Sequence, residues 1–288
     1  MARILIFDGA PARAQRVIEA HGGASNAAMF ERALSLHATG LDCFALNVAD
    51  GERLPQGIAL DDFDGIVITG SPLSVYQRVP EVTRQIELAH RAFESEAPIY
   101  GSCWGVQLMT AALGGTVRRN PQGREIGIAR NIALTTRGRD HLLFKGKADA
   151  FDALCSHQDE VATLPQGARV LAGNGTSAIQ ATEIDRGPQS FLGLQYHPEH
   201  TLATTAAIIA ARMELLVAEG FARSLEDIQV VVADLRALDA DPGRRDLAWR
   251  LGLDRHVLDP LVRTAEFGNW LHAKVLPRRA RRAAAALA

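Results

Sequence analysis

The chain has 288 residues, of which 47% are hydrophobic and 22% charged, with a formal net charge of -2. That supplies a full core for one large domain, or one domain with an appendage, and leaves no global basic field to attract nucleic acid. No apolar run reaches the length of a membrane span, and three unevenly spaced cysteines argue against a disulfide framework, so a cytoplasmic protein is expected, with Cys43 and Cys155 as packing or pocket-neighbour thiols.

In chain order, residues 4–7 form the first predicted strand, entered directly from Met1, and a helical stretch over 27–39 precedes a second strand at 42–48. A third strand is predicted at 66–69, a helix at 81–94, and a strand at 97–100. Short apolar strands alternating with helices predict an α/β protein whose parallel sheet is covered on both faces. From 125 to 195 the runs are shorter and separated by glycine-containing turns, including the hairpin signal Asn174-Gly175, so antiparallel additions to the sheet are expected. Residues 201–218 read as one long helix with Gly220 as its stop, which divides the chain into residues 1–219 and a helical extension, 220–288. Within the extension, 225–238 and 246–270 have helical spacing, with Asp241-Pro242-Gly243 as the turn between them. The cluster Arg278, Arg279, Arg281 and Arg282, followed by alanines, is expected to be a solvated, frayed terminus.

The run Ile99-Tyr100-Gly101-Ser102-Cys103-Trp104-Gly105-Val106-Gln107 sets a thiol between two glycines where an apolar strand gives way to a helix. A sharp strand-to-helix corner holds its central side chain exposed and strained when small neighbours allow close backbone approach. The helix's free N–H groups and positive dipole end favour a thiolate there. A buried packing cysteine is the competing reading. A second run, Phe191 to Glu199, is an apolar strand that ends in Tyr196-His197-Pro198-Glu199. Thiol, imidazole and carboxylate together make a nucleophile, its proton shuttle and the group that orients the shuttle. Without Cys103, the same residues read as a strand-end turn.

Four blocks in order resemble the class I, or triad, glutamine amidotransferases, and most of all the glutaminase domain of GMP synthase. They are Thr69-Gly70-Ser71-Pro72-Leu73-Ser74-Val75-Tyr76, Gly101 to Gln107, Ser156-His157-Gln158-Asp159-Glu160-Val161, and Tyr196 to Glu199. The resemblance covers about three-quarters of the chain and leaves the extension without a counterpart. It implies a flavodoxin-like three-layer fold with a mostly parallel central sheet. It also implies Cys103, His197 and Glu199 as the triad, and the backbone N–H groups of Gly70 and Trp104 as the oxyanion hole. Gln107, Ser71, Ser156, His157 and Asp159 become substrate-pocket residues. Gln158 departs from the family's glycine, which restricts φ > 0 at that turn and puts strict glutamine specificity in question.

The implied reaction hydrolyses the glutamine side-chain amide through a glutamyl thioester and releases ammonia to a separate synthetase. The Ser-Gly-Gly-x-Asp-Ser run of the synthetase half of GMP synthase is absent from the sequence. Hydrolysis of other γ-glutamyl amides or peptides is the alternative, and a non-catalytic regulatory module is the third reading. Expected partners are L-glutamine or a γ-glutamyl amide, with a synthetase subunit or a homodimer engaged through the C-terminal helices. No cofactor is expected: there is no phosphate loop or dinucleotide fingerprint, and His-Pro-Glu-His at a strand end lacks the helical spacing of zinc hydrolases.

Overall fold

Both faces of the first strand are apolar, and both are covered. In the computed structural model, which describes residues 1–285, Ile4, Leu5, Ile6 and Phe7 are each 0% exposed. Ile4 and Ile6 point into one core with Val67, Tyr100 and Phe30, while Leu5 and Phe7 point into a second with Ile66, Ile68 and Ile99. This alternation is what a strand of period two produces inside a three-layer fold.

The strands are β1 (Ala2–Asp8), β2 (Leu41–Asn47), β3 (Gly65–Ile68), β4 (Ile99–Ser102), β5 (Thr116–Arg119), β6 (Glu125–Leu134), β7 (Ala150–His157), β8 (Asp159–Thr163), β9 (Ala168–Gly173), β10 (Ala181–Arg186) and β11 (Gln189–Leu194). Nine of them form one sheet in the order β2-β1-β3-β4-β11-β10-β9-β6-β7, and β5 pairs with β8 apart from it. From β2 to β11 every pairing is parallel; the next four are antiparallel, so β9 and β7 again point with β11 while β10 and β6 oppose it. The sheet is therefore mostly parallel in direction, as expected.

Helices α1 (Ala12–Ala20), α2 (Asn26–Ser35), α3 (Pro80–Glu94) and α4 (Trp104–Ala112) connect the parallel strands. Val82 and Phe93 of α3, with Val106 and Met109 of α4, fill one core. Phe30 of α2 fills the other, where it meets Phe267, Trp270, Leu271 and Val275 from the C-terminal region. A third core joins the Leu202–Ala210 and Leu225–Ala240 helices through Leu202, Ile209, Ile228, Val232 and Leu235. No helix among the described residues is long and apolar enough to cross a membrane.

Several expectations are corrected. The helix predicted over 201–218 is two, Leu202–Ala210 and Met213–Ala218, because Arg212 leaves helical geometry at φ -130 and its guanidinium donates to the Ile208 carbonyl at 3.1 Å. The 246–270 stretch breaks into short helices at Gly252, which takes φ 61, and at Asp254 and Asp259, whose carboxylates cap the next turns. The β9–β10 hairpin is real, but residues 174–180 join its strands: Asn174 Oδ1 accepts from the Thr176 and Ser177 N–H groups, making an Asx turn instead of a two-residue loop. The arginine cluster is not a frayed end. It lies on a helix, Leu276–Ala285, where Arg282 donates to buried Asp64 at 3.0 Å and Arg278 lies 3.8 Å from Asp61 and 3.7 Å from Glu96. Those carboxylates come from loops on either side of β3, which the linear sequence does not bring together. Residues 286–288 of the alanine run lie outside the described residues.

Candidate active site

Three adjacent parallel strands end at one rim of the sheet. β3 leads to Gly70, β4 to Cys103 and β11 to His197, and because β4 is hydrogen-bonded to both of the others, their carboxyl ends converge. Open α/β sheets place their ligand sites at this rim.

The corner at Cys103 is tight. Its φ of 50 and ψ of -96 lie where L residues are strained, and its N–H donates to the Leu194 carbonyl at 2.6 Å, tying the corner to the end of β11. Both flanking glycines are required by approach distance. A Cβ on Gly101 would sit 2.9 Å from the Gly105 backbone, and one on Gly105 would sit 2.7 Å from the Ile68 carbonyl oxygen. The corner therefore cannot relax toward β3.

His197 is held from both ends. Its N–H donates to the Leu154 carbonyl at 2.8 Å, and its Nδ1 lies 2.7 Å from Glu199 Oε1. Glu199 Oε2 accepts from the Ser102 hydroxyl at 3.1 Å, so the carboxylate is fixed by the residue next to the thiol. Cys103 and His197 line the same cavity. Burial alone would lower the His197 pKa; the Glu199 carboxylate and the Cys103 sulfur override it and hold the imidazole up at about 10.

His200 stacks flat on His197, with ring centroids 3.9 Å apart and 5° between planes. Burial, together with the charges of His197 and Arg212, pushes His200 well below the ordinary histidine range and so keeps it neutral. The ligand atoms of His197, Glu199 and His200 lie within 4.8 Å of one another, which gives the site three potential metal donors. Both Glu199 oxygens are already taken by His197 and Ser102.

The other expected residues surround a cavity of about 410 Å³ lined by Gly70, Ser71, Cys103, Gln107, Ser156, His157, Gln158, Asp159 and His197. Gly70 packs against the imidazole: a Cβ there would lie 2.8 Å from His197 Cε1. The Gly70 carbonyl accepts from Asn26 Nδ2 and the Thr69 hydroxyl, each at 3.1 Å, and Asp8 accepts from both of those groups, which sets the orientation of the loop. Gln107 donates to the Asp159 carbonyl and to Gln195 Oε1, which aims its own carbonyl oxygen elsewhere. The Ser156 carbonyl lies 3.7 Å from Cys103 Sγ.

His157 serves the scaffold. One ring nitrogen faces the Asp159 carbonyl at 3.1 Å and the other faces Glu125 at 2.9 Å, so its ring links β7, β8 and β6. Asp159 Oδ1 accepts from the Tyr76 hydroxyl at 3.0 Å, which latches the loop after β3 onto the β7–β8 turn. Gln158 does not have positive φ, so the glycine position of the family pattern is filled here without backbone strain. The Trp104 side chain points away from the cavity and donates to Gln85. Its backbone N–H, at the first position of α4, is the part that faces the corner.

Sequence reasoning missed much of the lining. Ala14, Val17 and Ile18 of α1, with Met29, Ile208 and Ala211, give the cavity apolar lining, and Arg124 and Arg212 also line it. The unpredicted α1 was the obstacle, since its apolar residues face a cavity and none is buried.

The family model for "Glutamine amidotransferase class-I" matches residues 24–214. The chain belongs to this family. It is 32% identical over 280 residues to a gamma-glutamyl-L-1-hydroxyisopropylamide hydrolase of a Pseudomonas species, an alignment covering 96% of this chain and 94% of that one. It is 30% identical over 203 residues to the GMP synthase of Lactococcus lactis subsp. cremoris, covering 70% of this chain but 37% of the synthase. A glutamine amidotransferase structure from Thermotoga maritima shares the fold at a TM-score of 0.65 and 19% identity, over 93% of this chain and 98% of that one. The 220–288 extension lies beyond the family match, yet the hydrolase alignment extends into it.

Proposed function

We propose that this class I glutamine amidotransferase homologue is a self-contained hydrolase of γ-glutamyl amides whose amine carries a small apolar substituent. The observation that carries this reading is the cavity's mixed lining. Cys103 and His197, the latter held by Glu199, share it with the apolar side chains of Val17, Ile18, Met29 and Ile208. Ammonia needs no apolar wall to leave against; an alkylamine gains from burying its carbon skeleton, about 0.8 kcal/mol per methylene. The near full-length likeness to the Pseudomonas hydrolase points the same way.

Cys103 sulfur attacks the γ-carbonyl carbon, and the N–H groups of Gly70 and Trp104 receive the charge on the former carbonyl oxygen. His197 gives its proton to the departing amine nitrogen, leaving a γ-glutamyl thioester on Cys103. Water then enters, His197 takes its proton, and the thioester breaks to glutamate and free thiolate. Glu199 holds His197 in orientation throughout and stabilises its cation. Residues 1–219 carry this chemistry, and the 220–288 extension completes the scaffold beneath it.

The second reading is glutamine hydrolysis with ammonia passed to a separate synthetase. It draws on the similarity to the glutaminase portion of GMP synthase. A substrate panel separates the two: kcat/KM for γ-glutamyl alkylamides above that for glutamine supports the hydrolase, and a clear preference for glutamine supports the ammonia donor.

A further inference from the structure

Besides its histidines and Cys103 the cavity is lined by three ionisable side chains, Arg124, Arg212 and Asp159, and only Arg124 has an ion-pair partner among the described residues. Arg124 is clamped by Glu219 through two hydrogen bonds, at 2.8 and 3.2 Å. Arg212 makes one hydrogen bond, to the Ile208 carbonyl, and pairs with no carboxylate among the described residues. Asp159 accepts from the Tyr76 hydroxyl and pairs with no cation among the described residues. Glu125, the residue after Arg124, pairs with His157 in the β6–β7 ladder, so Arg124 sits beside the turn that carries Gln158 and Asp159. Arg212 lines the cavity together with Arg124 and Cys103. One uncompensated cation and one uncompensated carboxylate facing a common space complement an amino-acid zwitterion.

Resting on the γ-glutamyl reading above, we propose that Arg212 binds the substrate's α-carboxylate, with Asp159, which lines the same cavity, left for the α-ammonium. Burial and the neighbouring Arg124 both disfavour the Arg212 charge, whereas the Cys103 sulfur favours it. A bound carboxylate supplies the counter-ion that the fold withholds. The break between the Leu202–Ala210 and Met213–Ala218 helices falls at this residue, and the guanidinium is thereby turned back along the first helix instead of continuing the second. Arg212 is thus a specificity residue, and the reacting atoms stay with Cys103 and His197.

The test compares γ-glutamyl ethylamide with the same compound bearing an α-carboxamide in place of the α-carboxylate, and with γ-glutamylglycine, for the wild type, Arg212→Met and Arg212→Lys. The expected result is a KM about 10- to 100-fold higher for the α-carboxamide in the wild type, a loss of that discrimination in Arg212→Met, and its partial return in Arg212→Lys. Equal KM for the two ethylamides in the wild type overturns the proposal, even if Arg212→Met does not fold. So does an Arg212-dependent preference confined to γ-glutamylglycine, which would assign the arginine to a carboxylate on the amine. Should the wild type turn over none of these compounds, the hydrolase reading falls by itself. Calorimetric binding of the two ethylamides to Cys103→Ser, with and without Arg212→Met, then decides the arginine's role: unchanged affinities overturn it.

Discussion

Glu199→Gln removes one negative charge from the centre of the site while keeping its hydrogen bonds. The amide oxygen takes the place of Oε1 and accepts from His197 Nδ1, and the amide nitrogen turns to donate to the Ser102 hydroxyl, where the carboxylate accepted at 3.1 Å. What changes is electrostatic. Burial would otherwise lower His197, and the Glu199 carboxylate is the first of the influences that raise it from 6.5 to about 10. Without that charge the imidazole titrates much closer to its ordinary value, so above pH 8 it is mostly neutral and has no proton for the leaving amine. Loss of general acid–base assistance predicts a kcat lower by about 10²–10⁴ at pH 8, with the alkaline limb of kcat moved down from near pH 10. The linked stability follows the same sign. With a raised folded-state pKa, the histidine's contribution is present below about pH 6.5 and is lost as pH rises through about 10, a dependence that the variant flattens. Stopped kinetics over pH 6 to 10 with paired thermal melts are the assay. A kcat within about threefold of wild type and an unmoved alkaline limb would refute the reasoning.

Other consequences follow from the same geometry. Because Cys103 is held at φ 50, Cys103→Gly is expected to be inactive yet more stable than Cys103→Ala by about 1 kcal/mol, read from denaturant midpoints. Gly105→Ala, whose Cβ would meet the Ile68 carbonyl at 2.7 Å, is expected to lower stability by about 1–3 kcal/mol. Gly70→Ala, with a Cβ 2.8 Å from the tethered His197 ring, is expected to lower both kcat and the melting temperature. At the C-terminal end, Lys147 and Glu266 form an ion pair at 3.0 Å with both side chains out of solvent, and Tyr196 donates to the same carboxylate at 2.7 Å. Lys147→Met leaves that charge uncompensated and is expected to cost about 3–5 kcal/mol, measured by urea unfolding.

The parts legible in the sequence were those that local chemistry dictates. The alternation in residues 4–7 marks a doubly covered strand, the glycines at 101 and 105 mark a corner, and His-Pro-Glu marks a strand end. Cys103 and His197 were joined by residue type and by the resemblance, whereas the β4–β11 pairing that brings residues so distant in the chain to one rim is visible only in the structure. Arg212 was hidden inside an Ala-rich helical pattern, and its break appears only once the side chain competes for the Ile208 carbonyl. The C-terminal arginines looked solvated because their carboxylates, Asp61, Asp64 and Glu96, lie more than 170 residues earlier in the chain. Asp159 was named a pocket residue through the resemblance, but its hydrogen bond from Tyr76 was not legible in the sequence.

The most direct test of the account is to quench the protein in acid during turnover of a γ-glutamyl alkylamide and map the peptides by mass. The account predicts a γ-glutamyl adduct on the Cys103 peptide alone, absent from Cys103→Ser, which no longer turns over the substrate. Undiminished turnover by that variant, or an adduct on another residue, would contradict it.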